Sequence, residues 1–198
     1  MAVLTVPNLA NVLPASFTAP GLTEGEFLAL CENYPDATLE YTAEGTVIIM
    51  PPTDPETGRH ANLVVFQLTA WSLEQGQGFV LGPESGFRFR DGSRRSPDAT
   101  WCNEARWQEA RKFGELFPVF APEFVIEIRS RQQSARALRE KMEEYISNGV
   151  QLGWLIDPIE RTVAIYRPGS APEVLTNPSR VVGEGPVAGF VLNLGRVL

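Results

Sequence analysis

Hydrophobic and polar residues follow a regular order along the chain, most clearly between residues 122 and 158. Phe124–Ile128 is an apolar run typical of a strand buried on both faces, and residues 151–156 repeat this pattern. Between them, Ala135–Ser147 places apolar residues at helical spacing, and Gly149 follows as a C-cap. A strand, a helix and a strand at this spacing predict a βαβ unit whose two strands are parallel neighbours.

Shorter elements are predicted on both sides of this unit. Thr23 and Glu26 have the spacing of a capping box at the start of a helix that ends near Tyr34. Strand-like runs before and after Gly45 predict a β-hairpin, and apolar residues over 60–74 predict a long helix. Further predictions are short strands over 79–81, 86–90, 97–101 and 162–166, a short polar helix over 104–112 and a β-like tail from Gly169. Together these elements indicate a mixed β-sheet flanked by helices, in the α/β (α+β) class.

Composition indicates the class of protein and its domain organisation. The 198 residues are 43% hydrophobic and 21% charged, which suits a globular domain and excludes general disorder, collagen and coiled coil. We expect a loose N-terminal arm over residues 1–22 and a single domain over residues 23–198. With two cysteines, one histidine and no apolar run of about 20 residues, we expect no structural zinc, disulfide framework or membrane span, and a cytoplasmic location.

The charge balance is acidic, with a formal net charge of -7. This argues against a protein that coats nucleic acid, because such proteins usually neutralise phosphates with a basic surface. A local basic patch or a bound cation could offset the acidity. The candidate patch just before Asp98, which a solvated hairpin explains equally well, contains Arg88, Arg90, Arg94 and Arg95.

Glu127 is the strongest candidate for a functional residue, because its strand neighbours are all apolar. A buried carboxylate is unfavourable unless it is paired, protonated or bound to a cation, and Arg129 is the obvious partner for a purely structural ion pair. Asp98 follows Pro97 at the start of a neighbouring strand, where a turn aspartate is the simpler interpretation. Taken together, two carboxylates on adjacent strands are the type of ligand that Mg²⁺ prefers.

Lys141 lies on the helix that follows the Glu127 strand. The apolar stripe of this helix is formed by Leu138, Met142, Tyr145 and Ile146. At about 100° per residue, Lys141 falls at the edge of this stripe, from which its ammonium group can reach over the sheet. The alternative is a lysine whose stem is buried and whose charge reaches water.

Five runs of the sequence carry a resemblance to a known family, over about residues 23–198. These runs are 48–53, 86–88, 95–101, 122–130 and 141–158. They resemble a large bacterial family described as restriction endonucleases, within the PD-(D/E)XK nuclease superfamily. The resemblance implies a restriction-endonuclease-like fold, here with an extra N-terminal β-hairpin, and hydrolysis of DNA phosphodiester bonds with Mg²⁺ or Mn²⁺.

The resemblance also implies roles for individual residues. Asp98 corresponds to the aspartate of the family motif, and Glu127 to its acidic position. Where the motif has lysine, two residues after the glutamate, this chain has Arg129, and the resemblance instead assigns the basic role to Lys141. The implied metal ligands are Asp98, Glu127 and the backbone carbonyl of Ile128. The implied catalytic residues are Asp98, Glu127 and Lys141.

Two functions from different classes remain open. The intact acidic and basic set favours a metal-dependent endonuclease that acts on DNA. The acidic pI favours a non-catalytic protein that binds nucleic acid or another protein, as does the loop over 130–134, where relatives have Ser-Pro-Ser-Asp. Glu40 is a further acidic candidate, although the hairpin could leave it exposed. A homodimer is expected by analogy with proteins of this fold.

Overall fold

The computed structural model describes residues 14–198, which contain four α-helices and thirteen β-strands. The helices are α1 (Glu24–Asn33), α2 (Pro55–Gln75), α3 (Glu104–Ala110) and α4 (Ala135–Ser147). The strands are β1 (Ala15–Thr18), β2 (Thr38–Tyr41), β3 (Thr46–Met50), β4 (Gly78–Leu81), β5 (Phe87–Arg88), β6 (Arg94–Arg95), β7 (Ala99–Asn103), β8 (Phe124–Ile128), β9 (Leu152–Asp157), β10 (Thr162–Tyr166), β11 (Glu173–Thr176), β12 (Arg180–Val182) and β13 (Val191–Asn193).

A six-stranded sheet, in the order β11-β10-β9-β8-β7-β4, forms the centre of the fold. Its two central strands, β8 and β9, are parallel, and Glu127 is paired with Leu155. The other neighbouring strands are antiparallel. The predicted βαβ unit is confirmed, since α4 connects the two parallel strands. The described chain therefore has the mixed α+β architecture that the sequence predicts.

The two faces of the central sheet are covered by different helices. On one face, α2 and the β12–β13 hairpin pack over Phe124, Ile126 and Ile128 of β8. On the other face, α4 packs over Val125. Because successive residues of a strand point to opposite faces, Glu127 lies on the α4 side of the sheet.

A second sheet, in the order β1-β3-β2-β6-β5, contains the predicted β-hairpin. Gly45 in its turn has a φ of 87°, in the left-handed region that favours glycine. Strand β1 pairs with β3, so residues 15–18 of the predicted arm belong to this sheet. The rest of the predicted arm, residues 1–13, lies outside the described residues.

Helix α2 begins five residues earlier than the predicted start at His60, at Pro55. The reason is local, because the Asp54 side chain accepts hydrogen bonds from the backbone N–H groups of Glu56 and Thr57 and so caps the helix. A proline at the first helical position is compatible with this cap. No helix in residues 14–198 is long and apolar enough to cross a membrane.

The predicted strands over 86–90 and 97–101 are shifted or shortened in the structure. Only Phe87–Arg88 of the first segment forms a strand, because the chain turns back at Gly92. The second begins at Ala99, since Pro97 has no N–H group with which to join the ladder. Asp98 consequently lies immediately before β7 rather than within it.

Gly153 of β9 allows α4 to approach the sheet closely. A Cβ atom at this position would lie 2.4 Å from the terminal methyl group of Met142. Any larger residue would therefore require the Met142 side chain to move. This close approach brings the side chains of α4 onto the face that carries Glu127.

Candidate active site

A cavity of about 840 Å³ lies between the hairpin of the second sheet, the ends of β7 and β8, and helix α4. Its lining includes all three residues that the sequence predicts as catalytic, which are Asp98, Glu127 and Lys141. Its walls also include Ile48 and Met50 of the hairpin. The three predicted residues come from separate segments of the chain, so the fold alone brings them together.

Asp98 and Glu127 meet because their strands are antiparallel neighbours. Ala99 of β7 pairs with Ile126 of β8, which places Asp98 next to the end of β8. The Asp98 Oδ2 atom accepts a hydrogen bond of 2.7 Å from the backbone N–H of Ile128. Asp98 is half-buried at the cavity surface, whereas Glu127 is only 2% exposed.

Lys141 lies between two buried carboxylates, and the charged cluster consists of these three residues with Asp98 and Arg95. Its Nζ atom lies 2.7 Å from Oε1 of Glu127 and 2.7 Å from Oε1 of Glu40. Arg129, the residue at the usual lysine position, instead forms an ion pair of 2.8 Å with Asp157 and does not line the cavity. Of the two candidate basic residues, the structure thus brings Lys141 to the carboxylates.

Glu40 is buried rather than exposed, and three partners hold it. Besides Lys141, the Arg95 guanidinium lies 3.1 Å from Glu40 Oε2, and the backbone N–H of Ser96 donates to Oε1 at 3.0 Å. Arg95 and Glu40 are 55 residues apart in sequence, so no local pattern could have predicted this pair. Both oxygens of Glu40 are therefore engaged by cations or N–H groups.

Tyr145 is the site residue that sequence reasoning missed. Its hydroxyl donates a hydrogen bond of 2.7 Å to Glu127 Oε1, although the sequence placed it on the apolar stripe of α4. The available signal was its spacing, because Tyr145 follows Lys141 by four residues and so lies on the same side of the helix. Burial and the nearby Glu127 raise the pKa of the Tyr145 hydroxyl well above its usual value, so it remains a donor.

The arginines before Asp98 do not form a free basic patch, since all four have partners within the protein. They lie on the predicted hairpin, here formed by β5 and β6, whose tip over 90–92 is exposed. Arg88 pairs with Glu24 and Glu115, and Arg94 lies 5.0 Å above the ring of Phe27. Arg90 donates to the carbonyl of Ser147. Arg95 pairs with Glu40 and with Glu144, the latter at 2.5 Å.

The carboxylates of the cluster differ in protonation. Burial raises the pKa of Glu127 to about 7 and that of Asp98 to about 6. Burial also acts on Glu40, but Lys141 and Arg95 outweigh it and lower the pKa of this carboxyl. Lys141 is similarly buried, yet Glu127 and Glu40 raise its pKa and keep it charged. When they ionise, Glu127 and Asp98 therefore carry negative charge that the neighbouring cations do not fully stabilise.

The cavity lining is strongly acidic. Among residues 14–198, the basic residues of the lining are Lys141 and Arg95, and both are already paired with carboxylates. Nine acidic residues from the same part of the chain line the cavity: Glu40, Glu44, Asp54, Asp91, Asp98, Glu127, Glu140, Glu143 and Glu144. Such a surface repels a polyanion and attracts divalent cations.

The chemistry of these donors suits a hard divalent cation. Donors from the described residues reach Oδ2 of Asp98 and Oε1 of Glu127, which leaves one oxygen of each carboxylate for a ligand. Within residues 14–198, no group of three or more His, Cys, Asp or Glu side chains is arranged to hold a metal ion. Mg²⁺ commonly binds through one or two carboxylates and retains several waters, so two carboxylates and the carbonyl of Ile128 are a fitting set.

Comparison with known proteins shows the family of this chain. A family model named Uma2, described as "Putative restriction endonuclease", matches residues 25–195. The chain belongs to the Uma2 family. This confirms the resemblance drawn from the sequence, and Asp98, Glu127 and Lys141 all lie within the matched range. No curated protein matches the chain.

A solved structure is similar to this fold. It is a crystal structure of a protein from Anabaena variabilis, described as a "putative nuclease belonging to DUF820". The two chains are 29% identical, and the match covers 83% of this chain and 89% of that chain with a TM-score of 0.70. Family and fold together indicate a nuclease of the restriction endonuclease type.

Proposed function

We propose that the protein is a metal-dependent endonuclease that hydrolyses phosphodiester bonds of DNA. The observation that carries the proposal is the convergence of Asp98, Glu127 and Lys141 in one cavity from three separate segments. The raised pKa values of the two carboxyl groups support it, because strongly perturbed groups in a cavity are typical of functional sites.

Asp98, Glu127 and the carbonyl of Ile128 would hold Mg²⁺ or Mn²⁺. Such a cation supplies Lewis-acid chemistry, since it lowers the pKa of a coordinated water and neutralises charge on the phosphate. By holding the cation in one place, the two carboxylates would also fix the position at which the scissile phosphate binds. Their partly unstabilised negative charge favours cation binding over an empty site.

Lys141 contributes a fixed positive charge beside the carboxylates. Its Nζ atom is held by Glu127 and Glu40, both at 2.7 Å, so its position is defined before a substrate binds. A preorganised cation of this kind stabilises charge that develops on the phosphate or orients the attacking water. Glu40 takes part by positioning Lys141 and not as a metal ligand, because both of its oxygens are occupied.

The second candidate is a non-catalytic member of the family that binds nucleic acid or another protein, and the acidic cavity favours the form that binds another protein. Both basic residues of the lining are neutralised by carboxylates. Without a bound cation this surface would repel the DNA backbone. The endonuclease and the non-catalytic protein therefore differ in one testable property, namely cleavage that depends on metal.

The test is an incubation of purified protein with supercoiled plasmid, single-stranded DNA and RNA, each with Mg²⁺, Mn²⁺ or EDTA. We expect metal-dependent cleavage of DNA that falls by a factor of at least about 100 in Glu127→Gln, which keeps the shape of the side chain but removes its charge. Glu74→Gln is the matched control, since Glu74 is exposed and lies outside the cavity. Cleavage that persists in Glu127→Gln, or no cleavage by the wild type, would support the non-catalytic candidate.

We also propose a homodimer, by analogy with other proteins of this fold. Size-exclusion chromatography with light scattering separates a monomer of 21.8 kDa from a dimer of twice that mass. A single species at the monomer mass over a range of protein concentrations would contradict the dimer. It would leave the proposed chemistry unaffected, because the three candidate catalytic residues come from one chain.

A further inference from the structure

The buried Glu127 carboxylate is held on one of its two oxygens. Tyr145 Oη and Lys141 Nζ both lie 2.7 Å from Oε1. The closest contacts that the described residues make to this carboxylate are thus to Oε1 and not to Oε2. The carboxylate is therefore fixed in a rotation that leaves Oε2 available to a ligand in the cavity.

The two groups that hold Oε1 differ in their other contacts. Lys141 is shared between Glu127 and Glu40, both at 2.7 Å. Tyr145 is completely buried, and its ring packs against Phe89 with a centroid distance of 5.5 Å. Among the described residues, the Tyr145 hydroxyl therefore contacts Glu127 as a neutral donor that is not shared with a second carboxylate.

We propose that Tyr145 is a positioning residue that holds the Glu127 carboxylate in the orientation required to bind the metal ion. The inference rests on the proposed function and adds a residue to it. Groups that hydrogen-bond to a metal ligand fix its orientation, and their loss typically weakens metal binding by about 10- to 100-fold. A purely structural role for Tyr145 would instead leave the metal affinity unchanged.

The test is a calorimetric Mn²⁺ titration of the wild type and of Tyr145→Phe, which removes the hydroxyl and retains the ring. We expect the Kd for Mn²⁺ to rise by about 10-fold, and the Mn²⁺ concentration for half-maximal cleavage to rise in parallel. Tyr41→Phe is the matched control. Its hydroxyl donates a hydrogen bond of 3.0 Å to the carbonyl of Ala19, which directly follows β1 and is away from Glu127. Its Kd should stay within about twofold of the wild type.

Each outcome of the titration has a separate meaning. A higher Kd in Tyr145→Phe but not in Tyr41→Phe supports the proposal. An equal Kd in the wild type and in Tyr145→Phe overturns the positioning role and leaves the proposed metal site in place. No Mn²⁺ binding by the wild type overturns both, because Tyr145 would then have no metal ligand to position.

A measurement on the wild type covers the case in which Tyr145→Phe does not fold. The chain has four tyrosines, so tyrosine labelled with ¹³C at Cζ gives a simple spectrum that reports on each hydroxyl. We expect the Tyr145 signal to keep its hydrogen-bonded position when Mg²⁺ is added, since the contact to Glu127 persists. A shift to the position of a free tyrosine hydroxyl would overturn the proposal.

Discussion

The two faces of strand β8 differ in what they contribute, although all five residues of the strand are buried. Phe124, Ile126 and Ile128 face α2 and lie in an apolar cluster. On the opposite face, Glu127 lies among Lys141, Tyr145 and other charged or polar groups. One strand thus contains both a stabilising surface and a site whose charges are unfavourable to bury.

The difference shows how stability and chemistry are divided within one element. Burial of an apolar side chain contributes about 1.5–3 kcal/mol, so the α2 face stabilises the fold that holds the site. The α4 face carries groups with a raised pKa, whose ionisation near neutral pH is unfavourable in the folded state. Such a face is retained where function needs it, because apolar residues would be more stable there.

The largest change in stability is expected when an aromatic ring is removed from the α2 face of β8. Phe124 is fully buried, with its ring edge-to-face against Trp154 at a centroid distance of 4.8 Å. We expect Phe124→Ala to lower the free energy of unfolding by about 3–5 kcal/mol, since it leaves a cavity in the core. Urea unfolding measures this loss. A change below about 1 kcal/mol would show that this face repacks freely and is not the stabilising one.

The next largest change is a gain in stability, and it is expected when the charge of Glu127 is removed from the α4 face. Because the pKa of Glu127 is about 7 when folded and that of an unfolded glutamate is lower, the folded state binds more protons between these values. The protonated Glu127 side chain therefore contributes to the free energy of unfolding at low pH, and this contribution is lost as the pH rises from about 4.5 through about 7. In Glu127→Gln the carboxyl cannot ionise, so this variant escapes that loss.

We expect Glu127→Gln to be more stable than the wild type by about 1–3 kcal/mol at pH 8.5, with a difference near zero at pH 4. Urea unfolding at both pH values measures the two differences. Glu74→Gln should show no such pH dependence, because Glu74 is exposed. Lower stability of Glu127→Gln at pH 8.5 would mean that the ion pair with Lys141 outweighs the burial of the carboxylate.

A smaller effect of the same sign is expected for Asp98. Burial raises its pKa to about 6, but the residue is half-buried at the cavity surface and partly solvated. Asp98→Asn retains an oxygen that can accept the hydrogen bond from the Ile128 N–H. We expect a gain of about 1–2 kcal/mol at pH 8.5, measured by urea unfolding. A gain in the free energy of unfolding larger than that of Glu127→Gln would mean that Asp98, and not Glu127, is the carboxylate whose ionisation burial disfavours more.

The sequence predicts the framework of this comparison well. The period of the apolar residues predicts β8, α4 and the parallel pairing with β9, because each signal lies within a short segment. Glu127 stands out for the same reason, as a charge within an apolar run. Asp98 was a weak signal by itself and gained its place beside Glu127 from the family resemblance, and the antiparallel pairing of β7 with β8 brings the two residues together.

The partners of these charges could not be predicted from local patterns. Arg95 and Glu40 meet only because β6 pairs with β2 in the second sheet, and their sequence separation leaves no periodic signal. Tyr145 was missed because its ring does pack in the core, as its place on the stripe predicts, while its hydroxyl reaches the site. A residue with an apolar body and a polar tip fits both surfaces.

The smallest expected effect separates charge from burial on α4 itself. Arg136 and Glu140 form an exposed ion pair of 2.8 Å on this helix, in which Glu140 also lines the cavity and Arg136 does not. Exposed pairs at this spacing contribute about 0.3–0.5 kcal/mol, because water and salt screen them. We therefore expect Arg136→Ala to change the free energy of unfolding by less than about 0.5 kcal/mol, and Mn²⁺ affinity by less than about twofold. Urea unfolding and calorimetry measure the two quantities. A large loss in either would mean that charge on α4 matters irrespective of burial, and the contrast between the two faces of β8 would then have a different cause.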